Sequence, residues 1–296
     1  MLDPGVYPAS VTPMTPEGQV DMPSVARILA HFKAAGCKGA VLAGTNGEGP
    51  SLSAVEKRDL VRVAVPLFPD LKIVAGIATP SLDEAIWLAS QAYKAGAAAG
   101  LVMAPGYFRE ASEEGIAKWF EALMDSTELP ILIYNFPQRT GIEITPSLMG
   151  RLSQHHRMIG LKDSSGNEAN IQGYAQTVKG KNMFVGNESL LWKALEAGWS
   201  GTISGAANCI PHWLAVVVEE WFGGKRESAQ AKFQLTLRAI EALRGVPQPA
   251  TNKAVLNKIG VLPSPALRLP LEGISEQVLQ ATMDRLEGLA HLTSSF

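Results

Sequence analysis

Short apolar runs alternate with longer amphipathic segments along most of the chain. Apolar runs of this length, bounded by turn residues, are typical of strands that are buried on both faces. Eight such runs occur, at residues 5–11, 39–43, 72–77, 99–104, 131–134, 158–162, 183–185 and 201–204. Because the segments between them have helical character, the pattern predicts parallel βαβ units, and eight units predict a closed (β/α)8 TIM barrel.

Capping signals support the helices between the runs. Ser53 and Ser81 are each followed three residues later by a glutamate, Glu56 and Glu84, which is the pattern of a capping box at a helix start.

An open, doubly wound sheet is the competing architecture. The chain lacks the glycine-rich fingerprint that such sheets usually carry after the first strand, so the closed barrel is favoured.

The chain continues well beyond the eighth predicted strand. The remaining residues contain several further helical segments, which are interrupted by glycine or proline at 223–224, 245–249 and 263–270. We predict a barrel over residues 1–224 and a C-terminal helical extension, packed on the barrel, over residues 225–296. The predicted fold class is therefore α/β, a TIM barrel with additional C-terminal helices.

Composition and charge exclude several classes of protein. The 296 residues carry a formal net charge of -2, which gives no basic surface for nucleic acid. No apolar run approaches the roughly 18 residues that span a bilayer, and the N-terminus lacks the pattern of a secretory signal. We therefore expect no membrane partner and a cytoplasmic location. The 2 cysteines and 5 histidines have neither disulfide nor zinc-ligand spacing, so we expect no metal.

Polar residues follow most of the predicted strands. Active sites of (β/α)8 barrels lie at the C-terminal ends of the strands, so these residues form the candidate site. They are Thr45, Asn46 and Glu48 after strand two, Tyr107 after strand four, Tyr134, Asn135 and Arg139 at strand five, Lys162 at strand six, Gly186 and Asn187 at strand seven, and Ser204 at strand eight.

Lys162 and Tyr134 end adjacent predicted strands, so their side-chain tips can meet. Partial desolvation at a strand exit disfavours the ammonium form of a lysine and lets the amine act as a nucleophile. A phenol beside the amine can carry protons to and from a carbonyl oxygen. Plainer interpretations stay open from the residues alone: the lysine can bend to the surface and stay charged, and the tyrosine hydroxyl can simply reach water.

The other strand ends also allow more than one interpretation. The glycines of G-T-N-G-E at 44–48 can serve only a tight turn, and Glu48 can simply favour the positive end of the following helix. Arg139 can be an ordinary surface cation. Gly186-Asn187 and Ser204-Gly205 lie where many barrels bind phosphate, after strands seven and eight, so an unrelated barrel enzyme with a phosphate site stays open. Gly186 and Ser204 are also candidates for binding substrate.

Three motifs in order along the chain indicate a known family. They are G-T-N-G-E at 44–48, Y-N-F-P-Q-R-T-G at 134–141 and G-L-K-D at 160–163. Together they resemble the dihydrodipicolinate synthase and N-acetylneuraminate lyase family of pyruvate-dependent class I aldolases. The similarity extends over essentially the whole chain, including three extra C-terminal helices.

The resemblance implies a mechanism without a bound cofactor. Lys162 would form a Schiff base, a covalent imine, with the keto carbon of pyruvate, and Tyr134 would shuttle protons near the imine. Thr45 would pass protons between Tyr134 and Tyr107. In the family the second tyrosine reaches in from a neighbouring subunit, so a homotetramer, a dimer of dimers, is implied. The backbone N–H groups of Thr45 and Asn46 would hold the pyruvate carboxylate.

Arg139 is the most informative residue for the second substrate. In the synthase branch of the family, the arginine of Y-N-x-P-x-R-T-G helps to bind the carboxylate of aspartate semialdehyde, which suits a planar guanidinium. The chain departs from that branch at Asn46, where a threonine is usual, at K-D-S-S-G from Lys162, and at G-N-E-S from Gly186. These departures concern the aldehyde rather than pyruvate.

We therefore predict an enzyme, a carbon-carbon or carbon-oxygen lyase similar to the 4-hydroxy-tetrahydrodipicolinate synthase of lysine biosynthesis, which condenses pyruvate with aspartate semialdehyde. The alternative within the family is a retro-aldolase for a 2-keto-4-hydroxy acid, such as 4-hydroxy-2-oxoglutarate or a 2-keto-3-deoxy sugar acid. A barrel that binds a keto acid without turnover is a third hypothesis. Loss of Lys162 or Tyr134 would mark such a protein, and both are present.

Overall fold

Eight parallel strands form one sheet in the computed structural model, which describes residues 1–245 and 247–290. The strands are β1 (Gly5–Pro8), β2 (Gly39–Leu42), β3 (Lys72–Ile77), β4 (Ala99–Met103), β5 (Ile131–Asn135), β6 (Met158–Asp163), β7 (Asn182–Val185) and β8 (Gly201–Ser204). The predicted first strand over 5–11 is too long, because beyond Pro8 only Ala9 still pairs, in a single bridge to Val41.

The sheet curls into a barrel. Strands are hydrogen-bonded in the order β1-β8-β7-β6-β5-β4-β3-β2. The two ends of this order meet at the bridge between Ala9 and Val41, where the Ser10 N–H also donates to the Val41 carbonyl at 2.9 Å. The predicted (β/α)8 TIM barrel is confirmed.

Helices lie between successive strands along the chain. They are α1 (Val25–Ala34), α2 (Ala54–Ala64), α3 (Leu82–Ala95), α4 (Glu113–Asp125), α5 (Pro137–Thr140), α6 (Pro146–Leu152), α7 (Glu168–Thr177) and α8 (Leu191–Glu196), and the eighth strand is followed by α9 (Pro211–Phe222). The short α5 is absent from the sequence-based expectations. Its four residues follow β5 after the single residue Phe136 and place Arg139 near the end of that strand.

The predicted capping boxes have different outcomes. At α2, the Ser53 hydroxyl accepts from the Glu56 N–H and the Glu56 carboxylate accepts from the Ser53 N–H, which confirms the box. At α3, Ser81 accepts from the Glu84 N–H, but the prediction of a reciprocal bond is wrong. Thr79 lies between the two groups that would form this bond: its hydroxyl donates to the Glu84 carboxylate at 2.9 Å and accepts from the Ser81 N–H at 3.2 Å.

Apolar side chains pack on both sides of the strands. Inside the barrel, alternate strand residues form one cluster that includes Tyr7, Leu132, Tyr134 and Phe184. A larger cluster forms where the apolar faces of the helices cover the strands. Because Tyr134 belongs to the inner cluster, the C-terminal end of β5 directs this residue into the barrel interior.

Within the described residues, three helices follow the barrel, in the part of the chain where a helical extension is predicted. They are α10 (Arg226–Ala242), α11 (Gln248–Lys258) and α12 (Glu276–Ala290). Helix α10 packs on α9 and α12, and α11 contacts the turn at Ala206–Asn208 after β8. Val246 and residues 291–296 lie outside the described residues, and the boundary at residue 224 stays a prediction. No helix in the described part of the chain is long and apolar enough to cross a membrane.

Candidate active site

Tyr134 and Lys162 lie side by side at the C-terminal ends of β5 and β6. The parallel register pairs Tyr134 with Lys162, and Lys162 with Phe184 of β7. The Lys162 Nζ lies 4.3 Å from the centroid of the Tyr134 ring. Lys162 is 6% exposed and Tyr134 is 4% exposed. The two side chains meet as the strand order predicts, and the lysine is enclosed by the barrel rather than spread on the surface.

Gly186, at the end of β7, leaves space for this lysine. A Cβ atom at position 186 would lie 2.8 Å from the Cε of Lys162 and 1.9 Å from the Oγ of Ser164. Both distances are shorter than the optimal separation of about 3.5 Å for non-bonded carbon atoms. Any larger residue at position 186 would therefore displace Lys162 or Ser164. A direct contact of Gly186 with substrate stays a prediction.

Ser164 adds a hydroxyl that the sequence analysis did not select. Its Oγ donates to the Oη of Tyr134 at 3.3 Å. No hydrogen bond joins Thr45 to Tyr134 among the described residues, so the hydroxyl bonded to the phenol here is that of Ser164. The spacing could have indicated this residue, because positions two apart along an extended chain lie on the same face, and Ser164 is two residues after Lys162.

The loop after β2, residues 44–48, has an unusual backbone. Ala43, just before the loop, has a φ angle of 54°, and Glu48, its last residue, has a φ angle of 55°. This left-handed conformation costs a residue other than glycine about 1–3 kcal/mol. Within residues 1–245 and 247–290, the N–H groups of Thr45, Asn46 and Gly47 donate to no acceptor. Successive unpaired amides of this kind can bind a carboxylate without a cation.

The side chain of Asn46 is held by the C-terminal helix α11. Its Nδ2 donates to the Oε1 of Gln248 at 3.3 Å, and its Oδ1 accepts from the Nδ2 of Asn252 at 3.1 Å. Gly205 permits this arrangement, because a Cβ there would lie 2.6 Å from the Gln248 Oε1. The predicted role of Asn46 in binding substrate thus depends on its backbone N–H. The two partners on α11, Gln248 and Asn252, are not marked by any motif and could not be selected from the sequence.

Arg139 connects to the site through an aromatic side chain. The ring of Phe136 stacks on that of Tyr134, with centroids 5.6 Å apart. The guanidinium carbon of Arg139 lies 5.9 Å from the Phe136 ring centroid, and the residue is exposed. Arg139 therefore lies close to the candidate site with its charge accessible to a second substrate.

Tyr107 is not brought to the other candidates within one chain. It is 77% exposed in the loop after β4, and its ring packs edge-on against that of Phe108 with centroids 5.1 Å apart. A tyrosine this exposed has its hydroxyl in solvent unless another molecule covers it. The predicted role of Tyr107 stays a prediction that requires a second chain.

Ser204 is buried and engaged within the protein. Its hydroxyl donates to the Glu188 Oε1 at 2.6 Å and accepts from the Ala207 N–H at 3.0 Å. Its single hydroxyl hydrogen is used on Glu188, so the geometry does not support Ser204 as a donor to substrate. Asn187 likewise accepts from the Ser189 N–H at 3.3 Å and caps the next turn.

A buried polar cluster supports β5 and β6 behind the site. The Asn135 Nδ2 donates to the Asp163 Oδ1 at 2.8 Å and to the Tyr174 Oη at 3.1 Å, and the Tyr174 hydroxyl donates to the Ile144 carbonyl at 2.5 Å. Burial raises the pKa of Asp163, while hydrogen bonds from Ser165 and Asn135 oppose the rise. These contacts fix the strand residues that neighbour Tyr134 and Lys162, so Asn135 has a structural role.

Comparison with known proteins agrees with the motifs. Residues 3–289 match the sequence model of the dihydrodipicolinate synthetase family. The chain is 33% identical over 286 residues to the 4-hydroxy-tetrahydrodipicolinate synthase of Archaeoglobus fulgidus, covering 96% of this chain and 98% of that protein.

Two solved structures with bound pyruvate are also similar. One is YagE, a prophage protein of the dihydrodipicolinic acid synthase family from E. coli K12, with a TM-score of 0.92, 27% identity and coverage of 97% of this chain and 98% of that chain. The other is the chloride-inhibited dihydrodipicolinate synthase from Acinetobacter baumannii, with a TM-score of 0.92, 26% identity and coverage of 98% and 99%.

Proposed function

The chain belongs to the dihydrodipicolinate synthetase family, and from this premise we propose that it is a pyruvate-dependent lyase that condenses pyruvate with aspartate semialdehyde through a covalent imine on Lys162. Members of this family are lyases of the class I aldolase type. The observation that carries the proposal is the position of Lys162, which is enclosed at the barrel mouth with its Nζ 4.3 Å from the ring centroid of Tyr134.

In the proposed first half-reaction, the Lys162 amine attacks the keto carbon of pyruvate, water leaves, and a C=N bond forms. The imine withdraws electrons, so loss of a proton from the pyruvate methyl group gives an enamine. The enamine carbon then attacks the aldehyde carbon of the second substrate. Tyr134 carries protons at the imine, since its phenol adjoins the amine, and no external cofactor is needed.

The loop after β2 and Arg139 would bind the two carboxylates. The unpaired amides of Thr45 and Asn46 suit the pyruvate carboxylate, which needs several donors at one place. The exposed guanidinium of Arg139 suits the carboxylate of aspartate semialdehyde, because it can donate two parallel hydrogen bonds. The name of the relative from Archaeoglobus fulgidus supports this choice of aldehyde.

Tyr107 would complete the proton pathway from a neighbouring chain. Its 77% exposure fits a side chain that is covered on assembly, and we include a homotetramer in the proposal. Full activity of a chain that sediments as a monomer at the assay concentration would contradict this role. Within the proposal, Thr45 is the hydroxyl residue between the two tyrosines.

A retro-aldolase is the second candidate function, favoured by Ser164. Its hydroxyl, 3.3 Å from the Tyr134 Oη, adds a polar group beside the proposed imine. The Ser164 hydroxyl is half-buried and can accept a hydrogen bond from the hydroxyl of a 2-keto-4-hydroxy acid, and a site built to bond such a hydroxyl discriminates against substrates that lack it.

Two assays on the purified protein separate these functions. One measures condensation of pyruvate with aspartate semialdehyde, and the other measures pyruvate release from 4-hydroxy-2-oxoglutarate and 2-keto-3-deoxy sugar acids. We expect the first activity to have the higher kcat/KM. Activity in the second assay alone would refute the synthase proposal while leaving the imine mechanism intact.

A further inference from the structure

Helix α11 places a buried lysine against the loop that carries the unpaired amides. Lys253 is 0% exposed, and its Nζ lies 2.5 Å from the Oε1 of Glu48, the last residue of the loop. The Nζ also donates to the Ala266 carbonyl at 2.7 Å. A lysine is rarely buried completely unless it is paired. The partner of Lys253 is Glu48, so its burial is tied to the loop after β2.

The ion pair fixes a residue whose backbone is strained. Glu48 has a φ of 55° and is 2% exposed, and its second carboxylate oxygen accepts from the Arg268 N–H at 2.8 Å. A strained conformation persists only when its surroundings determine it. Here the surroundings are Lys253 and Arg268, both from the part of the chain after the barrel.

The same helix also holds the middle of the loop. Asn252, the neighbour of Lys253, donates from its Nδ2 to the Asn46 Oδ1 at 3.1 Å and to the Gly205 carbonyl at 3.0 Å. Consecutive residues of α11 thus fix Asn46 and Glu48, which bracket Gly47. The three amides at 45–47 therefore have their orientation set from α11.

Charge gives Lys253 a second effect on these amides. An unpaired Glu48 carboxylate would be a buried negative charge two residues from Asn46, and it would repel an anion held by the amides. The Lys253 ammonium neutralises that charge. Burial lowers the pKa of Lys253, while the Glu48 carboxylate raises it and favours the charged form.

We propose that Lys253 is a positioning residue for pyruvate: its ammonium neutralises Glu48 and holds the loop so that the amides of residues 45–47 bind the pyruvate carboxylate. This inference rests on the proposed function, because it assumes that pyruvate forms an imine with Lys162. It adds a residue of the C-terminal helices to the binding of the first substrate, although Lys253 itself touches neither pyruvate nor Lys162.

The test compares pyruvate with pyruvamide, a ketone of similar shape that lacks the negative charge. Each is titrated into the full-length protein, the imine is reduced with borohydride, and the fraction of chains carrying an adduct is measured by mass spectrometry. In Lys253→Met we expect half-saturation by pyruvate to rise by roughly tenfold or more, because the buried Glu48 carboxylate is then unpaired and repels the pyruvate carboxylate. Half-saturation by pyruvamide should change less than about twofold, since it carries no charge for Glu48 to repel.

Two further variants control this experiment. Lys232→Met breaks the ion pair between Lys232 and Glu220, 2.6 Å apart with each side chain 15% exposed, in the helices α9 and α10. It should leave both titrations unchanged. Glu48→Gln combined with Lys253→Met removes both charges, and it should recover part of the preference for pyruvate.

The outcomes separate the inference from the proposed function. Parallel changes for pyruvate and pyruvamide in Lys253→Met, or no change for either, would overturn the positioning role. An adduct missing from Lys162 in the unmodified protein would instead overturn the imine mechanism. If Lys253→Met does not fold, Lys253→Gln carries the same test, because it also removes the ammonium but keeps hydrogen-bond donors for Glu48 and for the Ala266 carbonyl.

Discussion

The position of the Lys162 amine is set by the residues packed around it. The aromatic ring of Tyr134 lies 4.3 Å from its Nζ, and the absence of a side chain at Gly186 leaves its stem unobstructed. Ser164 bonds the phenol on the same side. A lysine held among a ring, a glycine and a serine has few rotamers available, which is the condition for presenting one amine to one keto carbon.

Gly186→Ala tests this packing. The new methyl group would meet the Ser164 Oγ at 1.9 Å and the Lys162 Cε at 2.8 Å, so one or both must shift. We expect kcat to fall by about tenfold or more, because small displacements of reacting groups have large effects on rate. Steady-state kinetics checks this, with Gly273→Ala as the control, since nothing lies within 4 Å of a Cβ there. Unchanged turnover in Gly186→Ala would contradict the packing account.

At the residue scale, the sequence predicts side chains that lie on strand ends and misses those on helices. Tyr134 and Lys162 could be placed because parallel strands bring their carboxyl ends to one edge, and the register pairs the two residues. Lys253 could not, because a lysine in a helix is normally on the surface and only the tertiary fold buries this one. Tertiary contacts also decide that Ser204 bonds Glu188.

At the scale of elements, the segment between α11 and α12 ties the extension to the barrel loops. Arg268 donates to the Gly18 carbonyl at 2.8 Å and to the Ser51 carbonyl at 2.9 Å. It also donates to both oxygens of the Glu56 carboxylate, each at 2.9 Å. This bidentate pair joins the segment to the first turn of α2, next to the loop that carries Thr45.

Glu56→Gln tests how the pair contributes to stability. The hydrogen bond from Arg268 lowers the pKa of Glu56 to about 2, although burial opposes the shift. The folded pKa lies below the unfolded value of about 4.3, so the carboxylate stabilises the fold above that unfolded value. The stabilisation is lost as the pH falls through the folded pKa.

Thermal unfolding should therefore show a difference in Tm between the unmodified protein and Glu56→Gln that is largest near neutral pH. The difference should shrink as the pH falls from about 5 to about 2. The exposed Glu110 provides the control, since Glu110→Gln should show no such trend. A difference for Glu56→Gln that stays constant over this range would contradict the role of the ionised pair.

Element boundaries show what local patterns can predict. Strands β3 (Lys72–Ile77) and β8 (Gly201–Ser204) match the expected ranges, because apolar residues between turn signals define them. Strand β6 (Met158–Asp163) continues one residue beyond its expected end at Lys162. The second capping box fails because Thr79, outside the motif, binds Glu84. Helix α5 has four residues, too few to show a period.

At the scale of the whole molecule, the barrel collects residues from loops far apart in sequence. Thr45 follows β2, Tyr134 lies near the end of β5, Arg139 lies in α5 just after it, and Lys162 lies one residue before the end of β6. Alternation of strands and helices is enough to predict this assembly, since eight parallel units can close. It does not predict that α11 fixes the β2 loop, because those contacts join residues about 200 positions apart.

We propose that the fold prepares Lys162, among all lysines of the chain, to form an imine with pyruvate. Borohydride reduction in the presence of pyruvate, followed by peptide mass mapping, tests it directly. We expect one reduced pyruvate per chain, on the peptide that contains Lys162, and none in Lys162→Met. An adduct on another lysine, or no adduct at saturating pyruvate, would contradict it.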